Sequence, residues 1–86
     1  MYTIKATKKF EKDVKRCIKR RLPMEKLKEV VRLLGNTGKL PAVFRPHKLS
    51  GKFSDKWECH ITPDWLLVWE QDDSELIRAV RLKTIN

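Results

Sequence analysis

The residues able to do acid–base chemistry are concentrated in one nine-residue stretch, WECHITPDW at positions 57–65. Because side chains alternate along a strand, Glu58 and His60 point to the same face, about 7 Å apart. The apolar residues between them point to the opposite face, which is the one that helices would cover. Pro63 and Asp64 fit the two central positions of a type I turn, so Asp64 lies at the tip of a hairpin.

Two more polar side chains are expected near this pair. Alternation along a final strand, residues 75–82, puts Arg81, Ile77 and Ala79 on the open face. The more buried positions of that strand are then Leu76, Val80 and Leu82. His47 approaches from a basic loop that precedes the stretch. Two histidines, two acids and an arginine are therefore expected on or beside one face of the sheet.

This set has the composition needed to cleave RNA without a metal. One group must take the proton of a ribose 2′-OH, another must protonate the leaving 5′-oxygen, and a cation must stabilise the charge that grows on the phosphate. Histidine can serve either proton role, a carboxylate can orient it, and the fork of an arginine suits phosphate oxygens. Each residue alone has an ordinary explanation, since an exposed Glu–His pair is usually solvated and a turn aspartate usually only shapes its turn. Both RNA cleavage and RNA binding therefore remain open interpretations.

The charge distribution favours a polyanionic partner. The 86 residues carry a formal net charge of +9, and residues 5–21 hold nine Lys or Arg against two acids. Nucleic acid is the commonest polyanion, although a merely solvated basic surface is the alternative. An exposed tryptophan can stack on an unpaired base, although tryptophans in an apolar strand are more often core residues. The predicted RNA-binding residues are Trp65, Lys48, Lys52, Lys56 and Lys83.

Two amphipathic helices are predicted in the first half of the chain. Thr7 is a favourable N-cap for the first, Pro23 fits the first turn of the second, and Gly35–Asn36 is expected to end the second. The apolar stripe of the first helix is Phe10, Val14, Cys17 and Ile18, and that of the second is Leu27, Val30, Val31 and Leu34. Helices joined this tightly form an antiparallel hairpin, which needs a sheet to cover.

Strands are predicted on either side of the helices. Tyr2–Ala6 alternates as a short strand, and residues 36–56 read as a long loop with one short strand near Lys48–Leu49. Three further strands are predicted at 57–62, 65–70 and 75–82. The predicted fold class is α+β in the order β-α-α-β-β-β, a mostly antiparallel four-stranded sheet with a helical hairpin packed on one face.

Size and composition set further limits. The length suits a single domain spanning residues 1–86. No run approaches the roughly 18 apolar residues of a membrane span, and the N-terminus lacks signal-peptide features, so we expect a cytoplasmic protein with no membrane partner. Cys17 and Cys59 occupy apolar positions and are predicted to be buried free thiols. Because Cys59 and His60 would point to opposite faces, we expect no metal site, and no cofactor is predicted.

Three segments together resemble the YafQ branch of the RelE/ParE toxin superfamily. They are FEKDVK at 10–15, LPAVFRPHKLSG at 40–51, and WECHITPDWLLVW at 57–69, followed by a last strand ending in arginine. The resemblance covers nearly the whole chain. It implies a RelE/ParE-like fold and a ribosome-dependent mRNA endonuclease that is neutralised by a cognate antitoxin, a small DinJ/RelB-like protein.

The resemblance also implies roles for individual residues. His60 and Asp64, with help from Glu58, correspond to groups for proton transfer and orientation, and Arg81 to the cation that stabilises the phosphate. His47 corresponds to a second acid or base, or to a phosphate contact. Which group is the base and which the acid is left open by the sequence.

One departure from the family pattern bears on activity. Ile85 stands where the branch usually has a histidine, and the aromatic tail of the branch is absent from RLKTIN at 81–86. Loss of one acid or base typically lowers a rate by about 10²–10⁴. The sequence therefore also allows a non-catalytic ParE-like inhibitor, or a basic nucleic-acid-binding module, on the same fold.

Overall fold

The helices and strands occur in the order that the sequence predicts. The computed structural model describes residues 1–51 and 56–85. Its elements are β1 (Thr3–Ala6), α1 (Lys8–Lys19), α2 (Met24–Thr37), a 3₁₀ turn (Ala42–Phe44), β2 (His47–Lys48), β3 (Lys56–Thr62), β4 (Trp65–Gln71) and β5 (Leu76–Thr84). The α+β class and the helical hairpin are confirmed. Lys52, one of the predicted RNA-binding residues, lies outside the residues that the structure describes.

The sheet has five strands in the order β1-β5-β4-β3-β2, one more than the four predicted. The extra strand is the two-residue β2, which pairs with β3 one residue earlier than the short strand predicted near Lys48–Leu49. β1 runs parallel to β5, and the other three pairings are antiparallel. Because β2 pairs with β3, His47 is held on the sheet rather than on a free loop.

Local capping explains where the helices begin and end. The Thr7 hydroxyl accepts a 3.0 Å hydrogen bond from the N–H of Phe10 and so caps α1 as predicted. The predicted end of α2 at Gly35–Asn36 is wrong, because the helix continues to Thr37 and Gly38 ends it in the left-handed region at φ 72°. A Cβ at Gly38 would lie 2.5 Å from the Tyr2 ring, so glycine suits both the backbone angle and the packing.

Both helices cover one face of the sheet. Phe10, Cys17, Leu27, Val30 and Leu34 pack against a strand face that is fully apolar. That strand face consists of Cys59, Ile61, Trp65, Leu67, Trp69, Ile77, Ala79 and Leu82. The opposite face, termed here the open face, carries the polar residues of β3 and β5. Its central strand β4 nevertheless presents two buried residues there, Leu66 and Val68.

A β-bulge in β5 corrects the predicted alternation. The pairing with β4 passes from Val68 opposite Arg81 to Trp69 opposite Ala79, which leaves Val80 as an extra residue. Ile77 and Ala79, predicted on the open face, are 1% and 4% exposed in the core. Arg81 does lie on the open side, but only because the bulge reverses the alternation between Ala79 and Arg81. A strict alternation of side chains along the whole strand therefore assigns Ile77 and Ala79, which precede the bulge, to the wrong face of the sheet.

Asp13 is the buried charged residue among those described, at 3% exposure. β1 pairs with β5 only as far as Ala79, so the edge of β5 is unpaired beyond that residue. Asp13 fills this gap from α1, since its Oδ2 accepts hydrogen bonds from the Leu82 N–H at 2.9 Å and from Arg81 Nε at 2.8 Å. Burial alone would raise the pKa of Asp13, but these hydrogen bonds and the charges of Arg81 and Arg16 lower it below its usual value.

Both cysteines are buried and free, as predicted. Burial raises the pKa of the Cys59 thiol to about 12, and it raises that of Cys17 as well. Thiols in such surroundings stay protonated near neutral pH and are poor nucleophiles. Within residues 1–51 and 56–85, no helix is long and apolar enough to cross a membrane.

We expect Asp13→Asn to lower the free energy of unfolding by about 1–3 kcal/mol near neutral pH, because an amide cannot accept all of these hydrogen bonds as a carboxylate does. The folded-state pKa of Asp13 is lowered, so its contribution is fully present above its unfolded pKa of about 3.9 and is lost as the pH falls through the folded value. Urea denaturation of both proteins across the acid range measures this difference.

The matched control is Glu11→Gln, which changes an exposed acid on the same helix. This control should alter the free energy of unfolding by less than about 0.5 kcal/mol. A wild-type advantage over Asp13→Asn that did not shrink on acidification would contradict the assignment of the stabilisation to the ionised carboxylate.

Candidate active site

The strand pairing brings the predicted site residues into two adjacent rows on the open face. The first row runs from His47 through Glu58 and Val68 to Arg81. The second runs from His60 through Leu66 to Lys83. In both rows an apolar residue of β4 lies between polar residues of β3 and β5. The long polar side chains on either side therefore shield Leu66 and Val68 from water.

Glu58 is the centre of a small ionic cluster. His47 Nε2 lies 3.2 Å from Glu58 Oε1, and Lys83 Nζ lies 3.1 Å from Glu58 Oε2. The Glu58 side chain is 14% exposed, so these contacts are partly shielded from solvent. Lys83 reaches Glu58 from β5 across the whole width of β4. The cluster consequently joins the loop side of the sheet to its last strand.

His60 is half-buried, and its ring orientation is set by the turn that follows it. Nδ1 lies 3.3 Å from the Pro63 carbonyl oxygen. A carbonyl oxygen can only accept, so Nδ1 must carry the proton and donate it. In the neutral ring, Nε2 then has a free lone pair and can accept a proton. This contact, rather than one with the Asp64 carboxylate, is the ring hydrogen bond found among the described residues.

His47 differs from His60 in the contacts of its ring. Its Nδ1 lies 3.1 Å from the Arg45 carbonyl oxygen, and its Nε2 faces Glu58. Both ring nitrogens therefore face hydrogen-bond acceptors. A ring protonated on both nitrogens can donate to both acceptors, and a neutral ring can donate to one of them. The two rings thus differ in their contacts, since both nitrogens of His47 face acceptors, whereas Nδ1 of His60 faces the Pro63 carbonyl oxygen.

Contrary to the prediction, the Arg81 side chain does not point at the centre of the site. It shares the first row, but its Nε and Nη2 are 2.8 and 3.4 Å from the two oxygens of Asp13 at the edge of β5. The hydrogen bond and charge of Asp13 raise the pKa of Arg81 above its usual value. The cation that contacts Glu58 from β5 is instead Lys83, which the sequence suggested only as an RNA contact. Sequence patterns gave no signal for the Asp13–Arg81 pair.

Asp64 and Ile85 lie side by side at the end of the hairpin. The Asp64 carbonyl oxygen accepts a 2.9 Å hydrogen bond from the N–H of Ile85. Ile85 follows Lys83 by two residues, and it is 49% exposed. Asp64 is exposed at the turn. A side chain at position 85 is therefore placed beside the turn that orients His60.

The structure sorts the remaining predicted RNA contacts. Trp65 is 2% exposed in the core, so its ring offers no surface for stacking, which corrects that prediction. Lys48 is exposed on the edge strand β2, and Lys56 lies 3.9 Å from Glu70. In the part of the chain that the structure describes, no group of three or more His, Cys, Asp or Glu residues is placed to hold a metal ion.

Comparison with known proteins identifies the family of this chain. The family model for YafQ, a bacterial toxin of type II toxin–antitoxin systems, matches residues 2–84. The mRNA interferase toxin YafQ of Escherichia coli K12 is 41% identical over 76 residues, covering 87% of this chain and 82% of that protein. The fold and sequence together define a toxin of the type II class, and the chain belongs to the YafQ family.

Solved structures support the same grouping. A crystal structure of a YafQ point mutant from E. coli matches with a TM-score of 0.89 and 36% identity, over 98% of this chain and 93% of that one. The crystal structure of the E. coli DinJ–YafQ toxin–antitoxin complex matches with a TM-score of 0.88 and 38% identity, over 96% and 91% of the two chains.

We expect Glu58 and Lys83 to be energetically coupled across the sheet. A double-mutant cycle with Glu58→Gln and Lys83→Gln should give a coupling of about 0.2–1 kcal/mol in urea denaturation, and the coupling should shrink at about 1 M salt. The more distant pair Glu70–Arg78, at 3.8 Å, provides the comparison and should couple less. Zero coupling between Glu58 and Lys83 at low salt would contradict the contact between the Lys83 ammonium group and the Glu58 carboxylate.

Proposed function

We propose that this chain is the toxin of a type II toxin–antitoxin pair and that it cleaves mRNA on the ribosome by metal-independent acid–base catalysis. The observation that carries this proposal is the cluster of Glu58, His47 and Lys83 beside His60 on the open face. The family supports it, because the curated relative in E. coli is an mRNA interferase toxin. A purely structural surface has no need of two imidazoles, a carboxylate and a lysine gathered in one place.

The proton transfers follow from the two ring environments. Nε2 of His60 accepts the proton of the ribose 2′-OH, and the resulting oxyanion attacks the adjacent phosphorus. The bond from phosphorus to the 5′-oxygen breaks, and that oxygen takes a proton from the His47 imidazolium. The products are a 2′,3′-cyclic phosphate and a free 5′-hydroxyl. Glu58 orients His47 before the reaction through its contact with Nε2.

Cations from β5 stabilise the charge that develops on the phosphate. Lys83 lies over the site, and Arg81 lies at the edge of the same strand with its fork fixed by Asp13. Preorganised donors of this kind lower the barrier because they need no rearrangement during the reaction. Asp64 contributes through the turn, where its neighbour Pro63 orients His60 and its own carbonyl oxygen holds Ile85.

An antitoxin is the expected partner. The related E. coli toxin was crystallised in a complex with DinJ. This chain carries a net charge of +9, which suits an acidic, amphipathic antitoxin segment that folds on binding. We take residues 1–86 as one toxin domain that acts in the cytoplasm, where its message and ribosomes are found.

The decisive experiment is to add purified protein to a translating ribosome extract and to follow the message by primer extension. We expect cuts within codons. His60→Ala should lower the cleavage rate by about 10²–10⁴ because the proton acceptor is lost. Its circular dichroism spectrum and unfolding midpoint should stay near those of wild type, since the side chain is half-buried and, within residues 1–51 and 56–85, its ring hydrogen bond is the one to Pro63.

The control is Glu25→Ala, an exposed acid in the first turn of α2 that should cleave like wild type. Intact message at an equal dose of wild-type protein would overturn the proposal. Equal cleavage by His60→Ala and wild type would leave the activity but reject the assigned base.

We expect Ile85→His to increase cleavage. The position lies beside the turn that orients His60, and it is half exposed, so an imidazole fits without disturbing the core. A third acid–base group should raise the rate by about 10²-fold, at the lower end of the range for such groups. The matched control is Ile85→Gln, which has a polar side chain of similar size with no proton to transfer. Equal rates for the two variants would show that position 85 takes no part in the chemistry.

A further inference from the structure

We propose that the cleft between α1 and the end of β5 binds a second phosphate of the RNA chain, next to the one that is cleaved. This inference rests on the proposed function and adds a substrate contact to it. The cleft has a volume of about 280 Å³. It is lined by Asp13, Arg16, Cys17, Arg20, Arg81, Leu82, Lys83 and Thr84.

The α1 side of the cleft is a single face of the helix. Asp13, Arg16, Cys17 and Arg20 follow one another at i, i+3, i+4 and i+7, which places them in one stripe. Arg20 Nη1 lies 3.1 Å from the Thr84 hydroxyl, so its side chain already reaches across to β5. Arg16 Nη1 lies 3.3 Å from Asp13 Oδ1, and its side chain is 65% exposed, so both guanidinium groups are anchored at the cleft and can be reached from solvent.

The cleft has a surplus of positive charge. Among the residues that the structure describes, its lining includes three arginines and one lysine against the carboxylate of Asp13. That carboxylate is 3% exposed and is fully engaged with Arg81, Arg16 and the Leu82 N–H, so it presents little negative potential to a ligand. A concave surface with one sign of charge attracts anions strongly.

Arg81 has hydrogen-bond donors that can bind such an anion. Asp13 occupies its Nε and one Nη2 proton, and this leaves the remaining donors of the fork available to a ligand. The side chain is 42% exposed, so these donors can be reached from solvent. Because Asp13 already fixes the guanidinium, binding loses little side-chain entropy. Asp13 is thus a positioning residue for Arg81 in the cleft.

The location of the cleft points to a phosphate of the same RNA chain. Lys83 lines the cleft and also contacts Glu58 on the open face, so the two sites are continuous around the end of β5. An RNA strand with its reacting phosphate beside His60 passes over Lys83 before it reaches Arg16 and Arg20. Phosphate oxygens are also the partners that arginine forks match best.

The test compares two double variants with the same change of charge on the same helix. Arg16→Gln with Arg20→Gln alters the cleft, whereas Lys8→Gln with Lys15→Gln alters the opposite face of α1. Binding of a fluorescent single-stranded RNA oligonucleotide is measured by anisotropy over a range of salt concentrations. The plot of the logarithm of the association constant against the logarithm of the salt concentration has a negative slope. In the cleft variant, the magnitude of this slope should decrease by about 0.7 per lost phosphate contact. The control variant should keep a slope close to that of wild type.

Cleavage in the translating extract separates this inference from the function on which it rests. The cleft variant should raise KM about tenfold with little change in kcat, because it loses binding away from the reacting atoms. Equal RNA affinity and equal salt slopes for the two double variants would overturn the proposal that the cleft binds a phosphate, even if the wild-type protein cleaves message. A salt-slope difference with no cleavage by wild type would support the cleft and reject the catalytic proposal.

Discussion

The buried carboxylate of Asp13 is the interaction on which the arrangement of the site depends. β1 is too short to pair with all of β5, and Asp13 takes its place by accepting the Leu82 N–H and the Arg81 side chain. One residue therefore joins α1 to the sheet, completes the edge of the last strand and fixes the orientation of an arginine. A buried charge with this many partners is costly to leave unpaired, which makes the geometry specific.

The open face combines a stabilising and a chemical function in one layer. Leu66 and Val68 need cover, although no described helix packs on them, and the polar residues of β3 and β5 provide it. The bridge from Lys83 to Glu58 passes over them. Substrate must therefore approach a surface on which Lys83 is already paired with Glu58, and a phosphate that binds Lys83 must share this cation with that carboxylate.

Much of this protein was predictable from local patterns. The periodicity of apolar residues located both helices and every long strand, and it assigned Glu58 and His60 to the face away from the helices. It failed in β5, where Val80 is inserted as a bulge and reverses the alternation of Ile77 and Ala79. It also allowed Trp65 to stack on a nucleotide base, whereas the burial of Trp65 in the core excludes that role.

The sequence by itself determined the element order, the positive charge and the type of chemistry available, because these depend on composition and on spacings of a few residues. Only the tertiary structure decided the partners of each charged group. Asp13 and Arg81 are 68 positions apart, and their pairing follows from how far β1 extends along β5 and where the bulge falls. Such contacts arise from the packing of distant segments, and no local pattern encodes them.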